Sequence, residues 1–158
     1  MNGQFEASRG VCHVYAFGLH LIGGSDGNIY KLDPTVYLNG ADPLVRERTS
    51  PHYAVPGMLR TFFSAFILDC TTGGAPQGVD PQVELSWSDN SGQTWSNPVM
   101  RTAGQVGVVL ARLLWTRVGA VIGLSASGLR DRVWKVRCSA NAPFSIISGL
   151  PVGTTGKN

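Results

Sequence analysis

Turn-forming residues interrupt this chain so often that few helical patterns of any length fit between them. "VCHVYAF" (11–17) and "LHLIGG" (19–24) are strand-like, and "NIYKLD" (28–33) follows the turn "GGSDG". Asp26-Gly27-Asn28 is a hairpin signal, because these residues tolerate the positive φ that tight β-turns need. The chain holds 20 glycines and nine prolines, and only 15% of its residues are charged, against roughly 25% in ordinary globular domains. A weakly charged, glycine-rich chain with this punctuation is expected to be all-β. At 158 residues it suits one domain or two small ones and needs no disulfide or metal to hold a core.

The rhythm of short strands and glycine-rich turns over residues 1–43 is that of a propeller blade or a piece of one. "DPTVYLNGADP" (33–43) reads as a loop with one short strand, "LVRERTS" (44–50) as an exposed strand, and "PHYAVPGM" (51–58) as a linker. The strongest strand is "LRTFFSAFILD" (59–69), alternating first and then continuously apolar, so it should be buried on both faces for part of its length. "CTTGGAPQGVDP" (70–81) is a long loop of the kind that often reaches a partner. "QVELSWS" (82–88) places Val83, Leu85 and Trp87 on one face, and "WSNPVM" (95–100) begins a return strand. β-Branched residues and Trp115 favour strand for "GVVLARLLWTRVG" (107–119). "DRVWKVRCSA" (131–140) sets Trp134, Val136 and Cys138 opposite Val133, Lys135 and Arg137. "PFSIISGL" (143–150) is a final strand, and 151–158 is expected to be a flexible tail.

Composition narrows the function. The net charge is +3, and the basic residues are spread over strands and often sit beside acids, as in Arg46-Glu47-Arg48 and Arg130-Asp131-Arg132, so no nucleic-acid footprint stands out. Cys12, Cys70 and Cys138 lack the spacing of a zinc site or a disulfide framework and read as buried free thiols. Folding in a reducing compartment follows. No secretory signal is visible, and the longest apolar stretch, "FFSAFIL" (62–68), is too short to span a bilayer. Low charge also suits a subunit that buries surface against other chains.

"SDNSGQTW" (88–95) is the most motif-like segment. Ser88-x-Asn90-x-Gly92-x-Thr94-Trp95 resembles the Asp-box, S-x-D-x-G-x-T-W, of sialidase-like propellers and other β proteins. Its physical logic is a hairpin cap. The side chain at the third position accepts turn N–H groups, glycine supplies a positive φ, and tryptophan packs beneath. Asn90 stands where the acid normally does, and an amide can still accept those bonds. Ser88, Asn90, Gly92, Thr94 and Trp95 are therefore expected to form a structural turn. "GGSDGNIY" (23–30) echoes it, with too few carboxylates for calcium.

Nothing here assembles an active site. Glu6, Glu47 and Glu84 are the only glutamates and none lies in a motif that would pair an acid with a nucleophile. His13, His20 and His52 share no metal spacing. No phosphate-binding, hydrolase or dinucleotide fingerprint occurs. We expect no catalytic residue, no cofactor and no metal.

Several stretches combine in order: "HLIGGSDGNIYKLDPTVY" (20–37), "LVRERTSPH" (44–52), "QGVDPQVELSWSDNSGQTWSNP" (77–98), "ARLLWTRVG" (111–119) and "RDRVWKVRCS" (130–139). Together they resemble the C-terminal part of the packaged-DNA stabilisation proteins, or tail nozzle proteins, of short-tailed bacteriophages. The resemblance runs over most of residues 10–150. It implies a β-propeller-rich chain assembled as a hexameric tube below the portal and head-to-tail adaptor, retaining packaged DNA and carrying spikes or needle. Two features depart from that pattern. The chain is much shorter, beginning near what looks like the last blade, and "AVIGLSASGL" (120–129) is inserted between two strands. Trp87, Trp95, Trp115 and Trp134 look like core anchors, and Arg46, Arg48, Arg130 and Arg132 like exposed strand-face ion pairs, individually worth about 0–1 kcal/mol.

The expectation is an antiparallel β-sandwich over 44–150, preceded by a blade-like hairpin segment over 1–43. Its expected role is that of a non-enzymatic virion protein, made in the host cytoplasm and forming a ring in the phage tail or connector. Expected partners are further copies of itself, the head-tail adaptor or other tail proteins, and packaged DNA by non-specific proximity; no membrane is expected. The alternative is a carbohydrate-binding module of a tail fibre or spike using exposed tryptophans. A sialidase-like hydrolase fragment fails on the missing acid and arginine constellation.

Overall fold

The computed structural model describes residues 10–52, 61–108, 111–118 and 132–155. Residues 53–58 of the expected linker over 51–58 and the inserted segment 120–129 lie outside the described residues, as does Arg130. The described residues contain no helix and form twelve strands. The fold is all-β.

Two sheets supply the core. One runs β6 (Arg46–Thr49), β11 (Val133–Cys138), β8 (Gln82–Ser88), β9 (Val99–Thr102); the other runs β10 (Leu113–Trp115), β7 (Thr61–Cys70), β12 (Ile146–Thr155). Every pairing in them is antiparallel. Val83 and Leu85 of β8 and Trp134, Val136 and Cys138 of β11 meet Phe63, Phe66 and Leu68 of β7 and Leu113 and Trp115 of β10 in one buried cluster. Each large side chain buried there stabilises the fold by about 1.5–3 kcal/mol. On one side the sheets are tied at their edges. Trp115 Nε1 donates to the Val99 carbonyl at 2.8 Å and Arg101 Nε to the Leu114 carbonyl at 3.1 Å.

The long strand β7 changes face partway. Thr61 and Phe63 are buried, and then Phe66, Leu68 and Cys70 are buried, so the inward phase jumps from odd to even positions. The register jumps at the same place: Val152 faces Ala65 and Gly153 faces Phe63, leaving Ser64 as an extra residue. A β-bulge of this kind re-aims the side chains on either side of it. It lets Phe63 and Phe66 both reach the Trp134 ring, at centroid distances of 5.3 and 4.8 Å. The bulge brings the β7 backbone close to β12, and a Cβ on Gly153 would lie 2.6 Å from the Phe62 carbonyl oxygen.

Ahead of the sandwich, β1 (Gly10–Ala16), β2 (Leu19–Gly24) and β3 (Ile29–Lys31) form a separate antiparallel sheet. Phe17 and Gly18, both at positive φ, make the two-residue turn that suits the twist of a hairpin. At the next turn Asp26 accepts from the Tyr30 hydroxyl at 2.5 Å, the Asn28 side-chain amide at 2.9 Å and the Asn28 backbone N–H at 3.2 Å. Those bonds, the tyrosine's first, hold its carboxyl down at about 2. β4 (Leu38–Asn39) and β5 (Asp42–Pro43) pair across Gly40. The Tyr37 N–H donates to Asn141 Oδ1 at 3.1 Å, stitching this loop to the sandwich.

Several boundaries differ from the sequence reading. Among the described residues of the stretch 107–119, Leu113–Trp115 alone is assigned to a strand, and Gly107 at φ +93 and a Val108-to-Gln105 backbone bond turn the chain ahead of it. β12 runs on to Thr155, so residues 151–155 pair with β7 and are not a tail. Proline and glycine made that segment look irregular, but on an edge strand a missing N–H costs no ladder bond. The loop after β7 folds back on the chain, with Gly73 bonded to Ala103, and Ala75, nearly fully buried, bonded to Val106.

Gly153→Ala should lower stability by about 1–3 kcal/mol through overpacking at the bulge, read as a lower denaturation midpoint at unchanged slope. A neutral result would show that the two backbones are not held this close.

Candidate functional site

The residues singled out as a turn come together where β8 ends. The Ser88 hydroxyl accepts the Gly92 N–H at 2.8 Å and the Asn90 N–H at 3.4 Å, and donates to Asn90 Oδ1 at 2.9 Å. Asn90 Oδ1 also accepts the Thr94 N–H, and its amide nitrogen donates to Thr94 Oγ1, both at 2.8 Å. Ser91 and Gly92 take the left-handed conformation at φ 60 and 87. The open side of Gly92 faces the Trp95 ring, 3.6 Å from where a Cβ would lie. Ser96 closes the loop, giving its N–H to the Trp87 carbonyl at 2.8 Å and accepting the Trp87 N–H on its hydroxyl at 3.1 Å. Trp95 is half-buried, with the Lys135 ammonium 4.0 Å from its ring centroid, a cation–π distance.

Asp89, which stands outside the motif pattern, makes the stronger contact. Its carboxylate accepts Arg132 Nε at 2.6 Å and Nη2 at 2.9 Å, a bidentate pair. Arg132 Nη1 donates to the Val118 carbonyl at 2.5 Å. The guanidinium lies 5.1 Å from the Phe63 ring, 5.2 Å from Trp134 and 5.6 Å from Trp87. Arg132 is 1% exposed, so it is no exposed strand-face residue, and the sequence expectation fails here. Arg46 departs from it too: it donates to the Ala140 and Ala142 carbonyls and lies over Tyr37 and Phe144. Arg48 is exposed. Arg132 was misread because a charged residue flanking a strand usually faces water. Strand register, which only the folded sheet supplies, decides its place: Val133 pairs with Ser88, which sets Arg132 beside Asp89.

Trp115 and Trp134 are buried, whereas Trp87 and Trp95 are half-buried. The latter two flank a shallow groove of about 320 Å³, with Asp89, Asn90, Thr94 and Ser96 between them. Most polar atoms there already bond within the turn or to Arg132. A second groove, of about 450 Å³, lies between the β6 and β12 edges and is lined by Arg46, Arg48, Phe144 and Ile147. Among the described residues no group of three or more His, Cys, Asp or Glu side chains could hold a metal. Cys70 and Cys138 are buried as expected, but Cys12 is exposed, on a sheet that no second layer covers among the described residues. Burial first, then the charge of Asp69 and the nearby Cys138, pushes the Cys70 thiol up to about 11.

A family model described as bacteriophage P22 Gp10, β-sandwich, matches residues 56–150, well over half the chain. Comparison with curated proteins gives no match. The match starts after β6, although β6 pairs with β11 as a strand of the same sheet.

Asp89→Ala should destabilise the fold by about 3 kcal/mol, the low end for breaking a buried pair because Asp89 itself is partly exposed. Asn90→Asp, which keeps both acceptor bonds, should stay within about 0.5 kcal/mol in the same denaturation series. Stability should fall as pH rises from about 9 to about 11, since the unfolded chain gives up the Cys70 proton near the ordinary thiol value of 9.0 and the folded chain only near 11. That loss should be absent in Cys70→Ala, measured by denaturation at each pH.

Proposed function

Because this chain belongs to the bacteriophage P22 Gp10 β-sandwich family, we propose that it is a structural protein of a phage tail that works as a ring of identical subunits. The observation that carries this reading is the N-terminal sheet. Cross-strand pairing puts Cys12, Val14, Ala16, Leu19, Leu21, Gly23, Ile29 and Lys31 on one face. Lys31 alone in that set is charged. Val14 is 55% and Ile29 77% exposed. A three-stranded sheet needs a packed apolar face to be stable, and exposed apolar patches of this kind mark interaction surfaces. A ring of copies supplies that cover without adding charge.

The sandwich serves this role as a rigid body, with the turn at 88–95 pinned to both sheets through Asp89 and Arg132. The resemblance to the packaged-DNA stabilisation proteins supports a hexamer placed at the nozzle or connector, docking the head-tail adaptor or other tail proteins. It also supports a lumen that seals the channel beside packaged DNA without reading its sequence. The role is mechanical and no catalysis is involved. A sugar-binding role draws less support, since the groove between Trp87 and Trp95 has spent most of its hydrogen-bonding groups internally.

Light scattering on the purified protein should give a closed oligomer, and cryo-electron microscopy of the particle a ring at the tail. Val14→Glu with Ile29→Glu should convert the oligomer to monomer while the sandwich keeps its unfolding midpoint. A wild-type monomer at assembly concentrations, with no ring in particles, would overturn the proposal.

A further inference from the structure

A second uncovered apolar face lies on the sandwich itself. Cross-strand pairing sets Ile67 between Leu114 and Leu150, with Ala65 and Val152 paired two positions along on the same side. Phe66 and Trp115, one position on, belong to the core cluster, so this row points away from it. Beyond the β7 bulge Phe63 is the inward residue and Phe62 the outward one. Phe62 is 49%, Leu114 47% and Leu150 58% exposed. The continuous apolar run of β7 is the pattern of a strand covered on both faces, yet among the described residues the sandwich fully covers only one. Across β10, β7 and β12 the one charged residue is Asp69. It lies two positions from Ile67 and so shares the outer face.

The chain therefore carries two apolar sheet faces, each three strands wide. Within one chain, no strand of the N-terminal sheet meets β7, β10 or β12. Each face holds one charged residue, and the two are opposite in sign. On the N-terminal sheet it is Lys31, which bonds Asp33 at 3.0 Å; on the sandwich it is Asp69. Packing either face on its own copy would bring like charges into the contact, which is costly. Packing one on the other brings opposite charges together. Building on the ring proposed above, we infer that the outer face of β10, β7 and β12 receives the apolar face of the N-terminal sheet of the neighbouring copy. Sheets packed face to face lie about 10 Å apart with their side chains interdigitated, so the neighbour's sheet becomes a third layer on the sandwich. The contact is heterologous, since a patch on one copy meets a different patch on the next. Such contacts generate rings when the rotation closes. The same contact covers the exposed side of β7 and the open face of the N-terminal sheet.

Two measurements on the full chain test this. Leu114→Glu with Leu150→Glu should raise the concentration needed for assembly at least about a hundredfold, because unpaired charges would be buried in the contact. Both positions are exposed in the single chain, so the unfolding midpoint of the sandwich, measured on the monomer, should hold. Cys12 lies on the apolar face of the N-terminal sheet and is exposed, whereas Cys70 and Cys138 are buried. In a Leu150→Cys variant a short bismaleimide should therefore join Cys12 of one copy to position 150 of the next. Denaturing gels should show a ladder of linked chains, and peptide mass spectrometry the link itself. Assembly of the double glutamate variant at wild-type concentrations would overturn the inference and leave the ring standing. So would a link found only within single chains of an assembled protein. A monomeric wild type would overturn both.

Discussion

The sandwich depends on one buried cation. Taking a guanidinium out of water costs several kcal/mol, and at 1% exposure Arg132 regains almost none of that from solvent. The protein offsets the cost with five groups: the Asp89 carboxylate, the Val118 carbonyl, and the faces of Phe63, Trp87 and Trp134. These groups come from the turn after β8, the segment after β10, β7, β8 and β11. A charge that must be satisfied by so many segments at once admits few alternative packings. The tight cap of Ser88, Asn90 and Thr94 gains its meaning here, because it holds Asp89 at the point where the arginine needs it.

The bulge in β7 is a second constraint of the same kind. Without the extra residue at Ser64, Phe63 and Phe66 would point to opposite faces, and only one ring could join the cluster around Trp134. The close backbone approach that results has to be met by a residue with no side chain, which is Gly153. Arg132 and Phe63 touch, so the bulge and the buried ion pair are coupled: shifting β7 by one residue would remove one of the aromatic faces over the guanidinium.

Outside the sandwich the logic reverses. The β1–β3 sheet has good turns, with Phe17-Gly18 and the Asp26-centred bonds shaping it locally, yet its strands bury little. Local hydrogen bonds shape its turns, and its apolar face stays exposed, with Val14 and Ile29 open to solvent.

The all-β class, most strand positions and the residues of the turn at 88–95 were legible because they depend on local rules: alternation, β-branched content, and glycine or asparagine where φ must be positive. The Asp-box-like pattern could be read since all its bonds span four residues or fewer. What the sequence determined by itself was thus the set of strands and the turns between neighbours. Only the tertiary structure decided that Arg132 is interior, that Asp89 is its partner 43 positions away, that Cys12 is exposed and that residues 151–155 extend an edge strand. Each of these turns on which strand lies beside which and which face is covered. Burial is a property of the assembled layers, and local pattern carries no record of the strand that will lie opposite.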